Sequence, residues 1–407
     1  MLKAKDQFRC TCGKTHTVPP TEIVFEENAA KNIETFFENA TYVVGENTAK
    51  LVETPERRTI KLEAEGRVLA TMENIEKVTS QVLTDHIVSI GSGSLTDIAK
   101  YAARLTSKSF SCFPTAPSVD GYTSSVAAIL IKNEKTTVQA VVPKRVVVDM
   151  NVVSEAPFDL LRAGIGDIAA KVTARLDWML SNVLTEEPIC EFAWDELRNS
   201  LNDVLENSEK VLNRDRSVIF SLMKVLLVSG LNITVVGNSR PASSAEHMIS
   251  HSLEMYHENR NEIPMFHGLS VAMGTYITLK AYRVIFEDLK LKEKYLTNEE
   301  RFFILSEFFS EEKAGKFMRV YERKKLPMEV QLSRVRKALK HTYEQFSEKV
   351  ENALKAVRVD ELFARYEPEF IEKLILISNT IRERYTVLDL LDSLCLLKDF
   401  SHRVFGI

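Results

Sequence analysis

Four of the eight histidines in this chain of 407 residues (His247, His251, His257 and His267) crowd into one short stretch, and three of them are spaced to share a site. His247 and His251, in Ala245-Glu246-His247-Met-Ile-Ser-His251, are spaced to share one face of a helix, a turn apart. His267, in Pro264-Met-Phe-His267-Gly268, opens the next periodic segment, and Asp167, in Ala163-Gly-Ile-Gly-Asp167, sits early in a long helical run. Two or three imidazoles with one carboxylate suit a divalent transition metal that keeps positions open for a substrate. Each histidine alone also reads as an ordinary hydrogen-bonded or surface imidazole. His247-x-x-x-His251 lacks the intervening glutamate of a zinc protease helix, so proteolysis is not indicated.

Two loops could hold a ligand. Ile90-Gly91-Ser92-Gly93-Ser94-Leu95-Thr96-Asp97 joins a β-branched strand to a helix. Glycines there let the backbone approach a ligand, and a helix N-terminus offers N–H groups and a positive dipole to phosphate. Thr96 stands where a full G-x-G-x-x-G has its last glycine, and a plain turn with Asp97 as helix cap is the competing reading. Phe113-Pro114-Thr115-Ala116-Pro117-Ser118-Val119-Asp120-Gly121-Tyr122-Thr123-Ser124-Ser125 follows another strand, as a ligand loop or a surface turn tipped by Asp120-Gly121. Cys10-Thr-Cys12-Gly-Lys-Thr-His16 resembles half a zinc site, but with only three ligands and no second Cys pair nearby, where structural zinc wants four, it reads rather as a small hairpin with reduced thiols.

The elements around these residues fall into two parts. Strands are expected at Thr41–Gly45, Thr59–Ala64, His86–Ile90, Ser109–Phe113 and Arg145–Asp149, with helices at Met72–Leu83 and Ile98–Leu105 between them. That alternation predicts a parallel sheet covered on both faces, with a hairpin at Val126–Ile131 and Thr137–Val142 around the polar turn Lys132–Lys135. After residue 155 helices dominate: Phe158–Asn182, Trp194–Val211, Ser217–Ser229, Ala242–Tyr256, Leu269–Phe286, Glu299–Phe309 and most of the remainder. The expected fold is α/β: an N-terminal Rossmann-like parallel-sheet domain over 1–155, then an all-helical C-terminal domain over 156–407. A ligand cleft is expected at strand carboxyl ends or between domains.

Composition narrows the class. Lys and Arg total 53 against 57 Asp and Glu, a net charge of −4, which disfavours a nucleic-acid binder. The basic run Arg323-Lys324-Lys325 and the cluster Arg334, Arg336, Lys337, Lys340 read as solvated helix faces. Five cysteines in a chain of this length fit a reducing cytoplasm better than a disulfide scaffold. The N-terminus lacks the apolar core of a signal peptide. Val218–Val236, interrupted by Lys224, Gly230 and Asn232, reads as a buried helix and a short strand or loop rather than a membrane span.

Taken in order, Gly-Ser-Gly-Ser-Leu-x-Asp, Phe-Pro-Thr-Ala-Pro-Ser-x-Asp-Gly, Gly-x-Gly-Asp, Ala-Glu-His-x-x-x-His and Phe-His-Gly resemble the iron-containing alcohol dehydrogenase and dehydroquinate synthase superfamily. Ser239–His247 and Thr115–Gly121 point within it to the sn-glycerol-1-phosphate dehydrogenase family. The likeness runs over roughly 25–290. It implies that Gly91, Ser92, Gly93, Ser94, Leu95, Thr115, Ala116, Pro117, Ser118 and Ser124 contact NAD or NADP. It implies that Asp167, His247 and His267 bind one divalent metal (zinc, nickel or iron), and that Asp120 and His251 serve substrate and catalysis, with Asp167 also against substrate. Gly91-Ser-Gly-Ser94 replaces the family's Gly-Gly-Gly-Lys, and Pro117 interrupts its small-residue stretch. The implied reaction is hydride transfer between NAD(P) and sn-glycerol 1-phosphate or dihydroxyacetone phosphate. Alternatives are another polyol or sugar phosphate, or a dehydroquinate-synthase-like lyase, which carries glutamate where Asp167 stands. Arg240, just upstream of the metal helix, is the candidate for the substrate phosphate, since guanidinium matches it bidentately. The expected protein is a cytoplasmic homo-oligomer, dimer or larger, acting on a phosphorylated polyol, with no nucleic acid and no membrane span.

Overall fold

The computed structural model describes residues 5–131, 134–287, 289–324, 327 and 330–406. Lys132 and Asn133 of the expected hairpin turn and Lys325 of the basic run lie outside the described residues. Ten strands are present among them: β1 Lys5–Arg9, β2 Thr15–Val18, β3 Glu22–Phe25, β4 Thr41–Gly45, β5 Thr59–Leu62, β6 His86–Gly91, β7 Ser109–Pro114, β8 Val126–Ile131, β9 Glu134–Gln139 and β10 Arg145–Val148. The helices of seven residues or more are α1 Met72–Gln81, α2 Gly93–Leu105, α3 Phe158–Thr185, α4 Glu191–Glu206, α5 Arg216–Val236, α6 Ala245–Glu258 and α7 His267–Phe286. They continue as α8 Asn298–Phe308, α9 Glu311–Glu322, α10 Leu332–Ala356, α11 Pro368–Ser378, α12 Val387–Ser393 and α13 Leu397–Arg403.

Two compact units result: Met1–Ile165 with Glu191–Ser239, and Gly166–Cys190 with Arg240–Ile407. The helical half of the sequence is therefore shared between the units rather than collected after residue 155. The cause is local. α3 runs unbroken for 28 residues across the chain position where a boundary falls, and α4 and α5 belong to the first unit.

In the first unit a six-stranded parallel sheet has the order β3-β10-β7-β6-β4-β5. Ile87, Val88 and Ile90 of β6 are fully buried, the continuous apolar run that a strand covered on both faces requires. Val44, Val88, Ile90, Phe113 and Val147 pack with Ile33 and Phe37 on one side. β3, which pattern reading misses, is an edge strand of four residues paired only with β10. β8 and β9 form the expected antiparallel hairpin, with β9 running Glu134–Gln139 rather than Thr137–Val142. β1 and β2 form a second hairpin.

α5 carries straight on to Val236, with no strand or loop after Ser229. Gly230 does not break it. A Cβ there would lie 2.2 Å from the Asp120 carbonyl oxygen, so glycine is what lets the loop after β7 lie directly on the helix. Asn232 is equally local in purpose: its side chain donates to the Ala193 carbonyl at 2.7 Å, tying α5 to α4. α5 is long and apolar enough to cross a membrane, and 78% of its apolar window is buried inside the protein. A helix apolar all round is a core helix when so enclosed.

In the second unit α6 and α7 lie side by side, with α11 against α6 and both α10 and α12 against α7. Gly166 permits their approach to α3, since a Cβ there would stand 2.1 Å from the Gly268 carbonyl oxygen. The Gly-x-Gly-Asp pattern is thus a packing device that lowers Asp167 onto the start of α7.

Candidate active site

Asp167 from α3, His247 from α6 and His267, the first residue of α7, each offer one donor atom, and these atoms all lie within 4.8 Å of one another. Asp167 is fully buried and His247 nearly so, while His267 keeps some exposure. Oδ1 of Asp167 stands 3.7 Å from Nε2 of His247. Helical spacing puts His251 beside them: its ring stacks on His267 at 5.7 Å between centroids.

The groups behind the imidazoles matter as much. Nδ1 of His247 donates to Glu246 at 2.9 Å, and Nδ1 of His267 donates to Glu254 at 2.7 Å. A carboxylate only accepts, so both rings carry their proton on Nδ1 and present the Nε2 lone pair. This is the carboxylate–histidine arrangement that orients metal ligands. Glu246 is itself held by Thr173 at 3.1 Å and Glu254 by Ser250 at 3.0 Å. One carboxylate and two oriented imidazoles fit a divalent transition metal with open positions.

Charge is dense here. Lys171 donates to Asp167 at 2.9 Å and to the Ala242 carbonyl at 3.2 Å. Burial would raise the Asp167 carboxyl, but Lys171 and the neighbouring histidines overcome it and hold it well below the usual carboxylate range. Burial likewise opposes protonation of His247, and hydrogen bonds to Asp167 and Glu246 outweigh it. Asp177, on the same helix, is pushed by burial and by Glu246 up to about 6.

Two arginines that sequence reading missed complete this cluster. Arg382 and Arg384 lie in the turn between α11 and α12. Nη2 of Arg382 donates to Nδ1 of His251 at 3.2 Å. Guanidinium only donates, so His251 is neutral on that side and carries its proton on Nε2. Arg384 donates to the carbonyl and hydroxyl of Ser243 at 2.6 and 3.0 Å. Burial, with Arg382 and Arg240 nearby, pulls Arg384 down to about 9. The one available signal was two arginines in a polar turn between apolar helices.

Arg240, the phosphate candidate from sequence, is otherwise engaged. Its Nε and Nη2 donate to both oxygens of Glu187 at 2.9 and 2.6 Å, and it donates to Ser244 at 3.0 Å and the Tyr385 carbonyl at 3.1 Å. It is fully buried and braces the start of α6.

The cofactor candidates lie in the first unit. Gly91 ends β6, Ser92 turns the chain, and α2 starts at Gly93. No side chain caps that helix at Ser92, and Ser92, Gly93 and Ser94 are partly exposed, so its first N–H groups fit a phosphate. Asp97 is no cap: it lies inside α2 and accepts from the Ala128 N–H of β8 at 3.2 Å. Gly91 pairs with Pro114, so the loops after β6 and β7 leave the same end of neighbouring strands. Residues 113–118 are buried, which rules out a surface turn. Tyr122 holds the Ala116 carbonyl at 2.6 Å. Ser124 donates to the Val126 carbonyl at 3.0 Å and accepts from Lys100 at 3.2 Å, so its hydroxyl serves the loop itself. Lys100, also missed in the sequence, is fully buried and further pins the Gly121 and Val126 carbonyls at 2.5 and 2.9 Å. Asp120 accepts from Ser229 at 2.8 Å.

The comparisons agree with this architecture. A family model described as iron-containing alcohol dehydrogenase matches residues 17–157. A curated relative from Bacillus licheniformis, named glycerol-1-phosphate dehydrogenase, NAD(P)+, is 32% identical over 67% of this chain and 73% of its own length. One of the same name from Bacillus subtilis is 35% identical over 52% of this chain, which spans 53% of that relative's length. Among solved structures, an iron-containing alcohol dehydrogenase from Corynebacterium glutamicum has a TM-score of 0.60 at 14% identity, covering 96% of this chain and 98% of that one, a likeness of fold.

Proposed function

The chain belongs to the glycerol-1-phosphate dehydrogenase family, and from that premise we propose that it transfers hydride between NAD(P) and sn-glycerol 1-phosphate, the reverse direction reducing dihydroxyacetone phosphate. The observation that carries the reading is the meeting of Asp167, His247 and His267, each imidazole oriented by its own glutamate, beside a histidine that an arginine touches.

Asp167, His247 and His267 hold the metal, whether zinc, nickel or iron, and Glu246 and Glu254 fix the ring tautomers that make this work. Bound there, a divalent ion supplies Lewis-acid polarisation of a substrate oxygen, and NAD(P) supplies the hydride acceptor. His251 holds a proton on Nε2 and relays it to or from the substrate oxygen, its orientation set by Arg382. Arg382 is the phosphate partner in this reading, with Arg384 beside it; two guanidiniums so close favour an anion. Arg240 is a positioning residue, because Glu187 already takes its fork. Gly91–Leu95 bind the cofactor pyrophosphate through main-chain N–H groups, and Thr115–Ser118 line its further course, with Asp120 against substrate. Three cysteines near residue 10 and 190 kept as thiols fit a reducing, cytoplasmic compartment.

The test is a substrate panel followed at the nicotinamide absorbance, with metal analysis on the same preparation. Metal-loaded protein should reduce dihydroxyacetone phosphate and prefer it to dihydroxyacetone. A preference for the unphosphorylated ketone would move the assignment to a polyol dehydrogenase. Lack of turnover with either ketone in metal-replete protein would end it.

A further inference from the structure

The thiol-rich segment at the N-terminus acquires a fourth member that no local pattern announces. Sγ of Cys10, Cys12 and Cys190 and a ring nitrogen of His16 all lie within 4.8 Å of one another. Cys190 comes from a position 174 residues past His16, immediately before α4, whose first turn meets the hairpin directly: the rings of Phe8 and Phe192 are 4.8 Å apart. Cys10, His16 and Cys190 are buried, and none of the five cysteines is in a disulfide.

The imidazole is aimed. Nδ1 of His16 donates to the Val235 carbonyl of α5 at 2.8 Å, leaving the Nε2 lone pair toward Sγ of Cys12 at 3.1 Å. A ring fixed through one nitrogen while the other faces a thiol cluster is how ligating histidines are held. The turn Cys10–Gly13, closed by the Gly13 N–H on the Cys10 carbonyl at 3.0 Å, points both thiols of Cys-x-Cys to one side. Donors on a tetrahedral zinc, at about 2.3 Å for sulfur and about 2.0 Å for nitrogen, stand roughly 3.5–3.8 Å from each other; the Cys12–His16 pair at 3.1 Å has only to open slightly, and every other pair already lies within 4.8 Å. Three thiols and one imidazole make a closed set, with no position left for substrate.

We propose that Cys10, Cys12, His16 and Cys190 form a structural zinc site that ties the β1–β2 hairpin to the start of α4. It is independent of the catalytic reading. It differs from the Asp167 cluster in softness and closure: thiolates select zinc, and a full shell gives the ion a folding role.

Cobalt substitution and zinc counting test it. Wild-type protein exchanged with Co2+ should show thiolate-to-cobalt charge-transfer absorption in the near ultraviolet. His247→Ala should keep that band, because its site has no sulfur. Cys190→Ser should lose the band and one zinc equivalent per chain, and should melt about 5–10 °C lower. Should Cys190→Ser fail to fold, wild type alone still decides: titration with an organic mercurial should release zinc in step with three thiols. A cobalt spectrum without thiolate bands overturns the site, as does a native disulfide among these cysteines or mercurial titration that frees no zinc. Loss of ketone reduction with the thiolate band intact would instead count against the catalytic reading alone.

Discussion

The candidate sites of the two units are built by opposite means. In the first, the candidate cofactor site is built of main chain: a bare helix N-terminus, small residues packed behind it, and one buried lysine spent on holding carbonyls. In the second, three helices and a turn concentrate Asp167, Lys171, Glu246, His247, His251, Glu254, His267, Arg382 and Arg384 around one point. Backbone groups are rigid and neutral, so they bind a large cofactor without costly charge burial. A metal centre needs charge, and in a dry interior each charge needs a partner. Single side-chain changes should therefore cost most in the second unit and least in the first.

The sharpest contrast comes from the ligands themselves. His247→Ala should abolish turnover, by about a thousandfold or more, and lose its divalent ion, since Lewis-acid stabilisation is worth several kcal/mol. Metal analysis beside circular dichroism would check it; retained metal with full activity would remove the site. One step out, Glu254→Gln keeps shape but not charge. It should weaken metal affinity about ten- to hundredfold, read by competition with a chelator, with little change in melting temperature.

The two arginines divide along the same line. Arg382→Ala should cut kcat/KM for dihydroxyacetone phosphate about ten- to hundredfold more than for dihydroxyacetone, which loses only what a less well oriented His251 costs, because a charge-assisted contact is worth about 1.5–3 kcal/mol. Arg240→Ala should leave Glu187, one-third exposed and still held by Ser181, without its cation and destabilise by about 1.5–3 kcal/mol, reading out in denaturation rather than in discrimination between ketones. Reversal of that pattern would return Arg240 to the phosphate. In the first unit, Gly93→Leu should raise KM for the cofactor about tenfold and leave KM for the ketone unchanged, consistent with backbone recognition.

The same contrast explains what was legible in the sequence. Gly91, Gly93, Asp167, His247 and His267 announce themselves as candidates because they are unusual types at short spacings. Five of the sheet's six strands were readable from their β-branched runs; the short edge strand β3 was not. What stayed hidden acts over long sequence distances or looks ordinary. Arg382 reaches His251 across 131 residues, Glu187 reaches Arg240 across 53, and Cys190 joins Cys10 only in three dimensions. Glycine inside α5 reads as a helix end when taken alone, and only the loop lying on it shows why it is there. The division of units was hidden too, because one helix spans it without a break in pattern.

The smallest expected effect tests whether the first unit really avoids charge. His86 begins β6, and burial, with Lys144 and Arg145 nearby, lowers its pKa to about 4. Its Nε2 is buried without a hydrogen-bond partner, and its ring faces Phe37 at 6.4 Å. Unfolded, the same imidazole titrates near about 6.5. Between those values the unfolded chain binds a proton that the folded chain refuses, so stability must fall as pH drops from about 6.5 to about 4. Below that both states are protonated and the dependence from this residue levels off. The shift would correspond to a few kcal/mol for a fully enclosed group; with the ring partly exposed, about 1 kcal/mol is the reasonable scale. His86→Leu fills the same apolar site without a titrating group. Urea midpoints of variant and wild type, compared at pH 7 and pH 4.5, should diverge in favour of the variant on the acid side. Parallel acid slopes for the two proteins would mean that this end of the sheet tolerates a charge, and the contrast between the units would be weaker than the buried groups suggest.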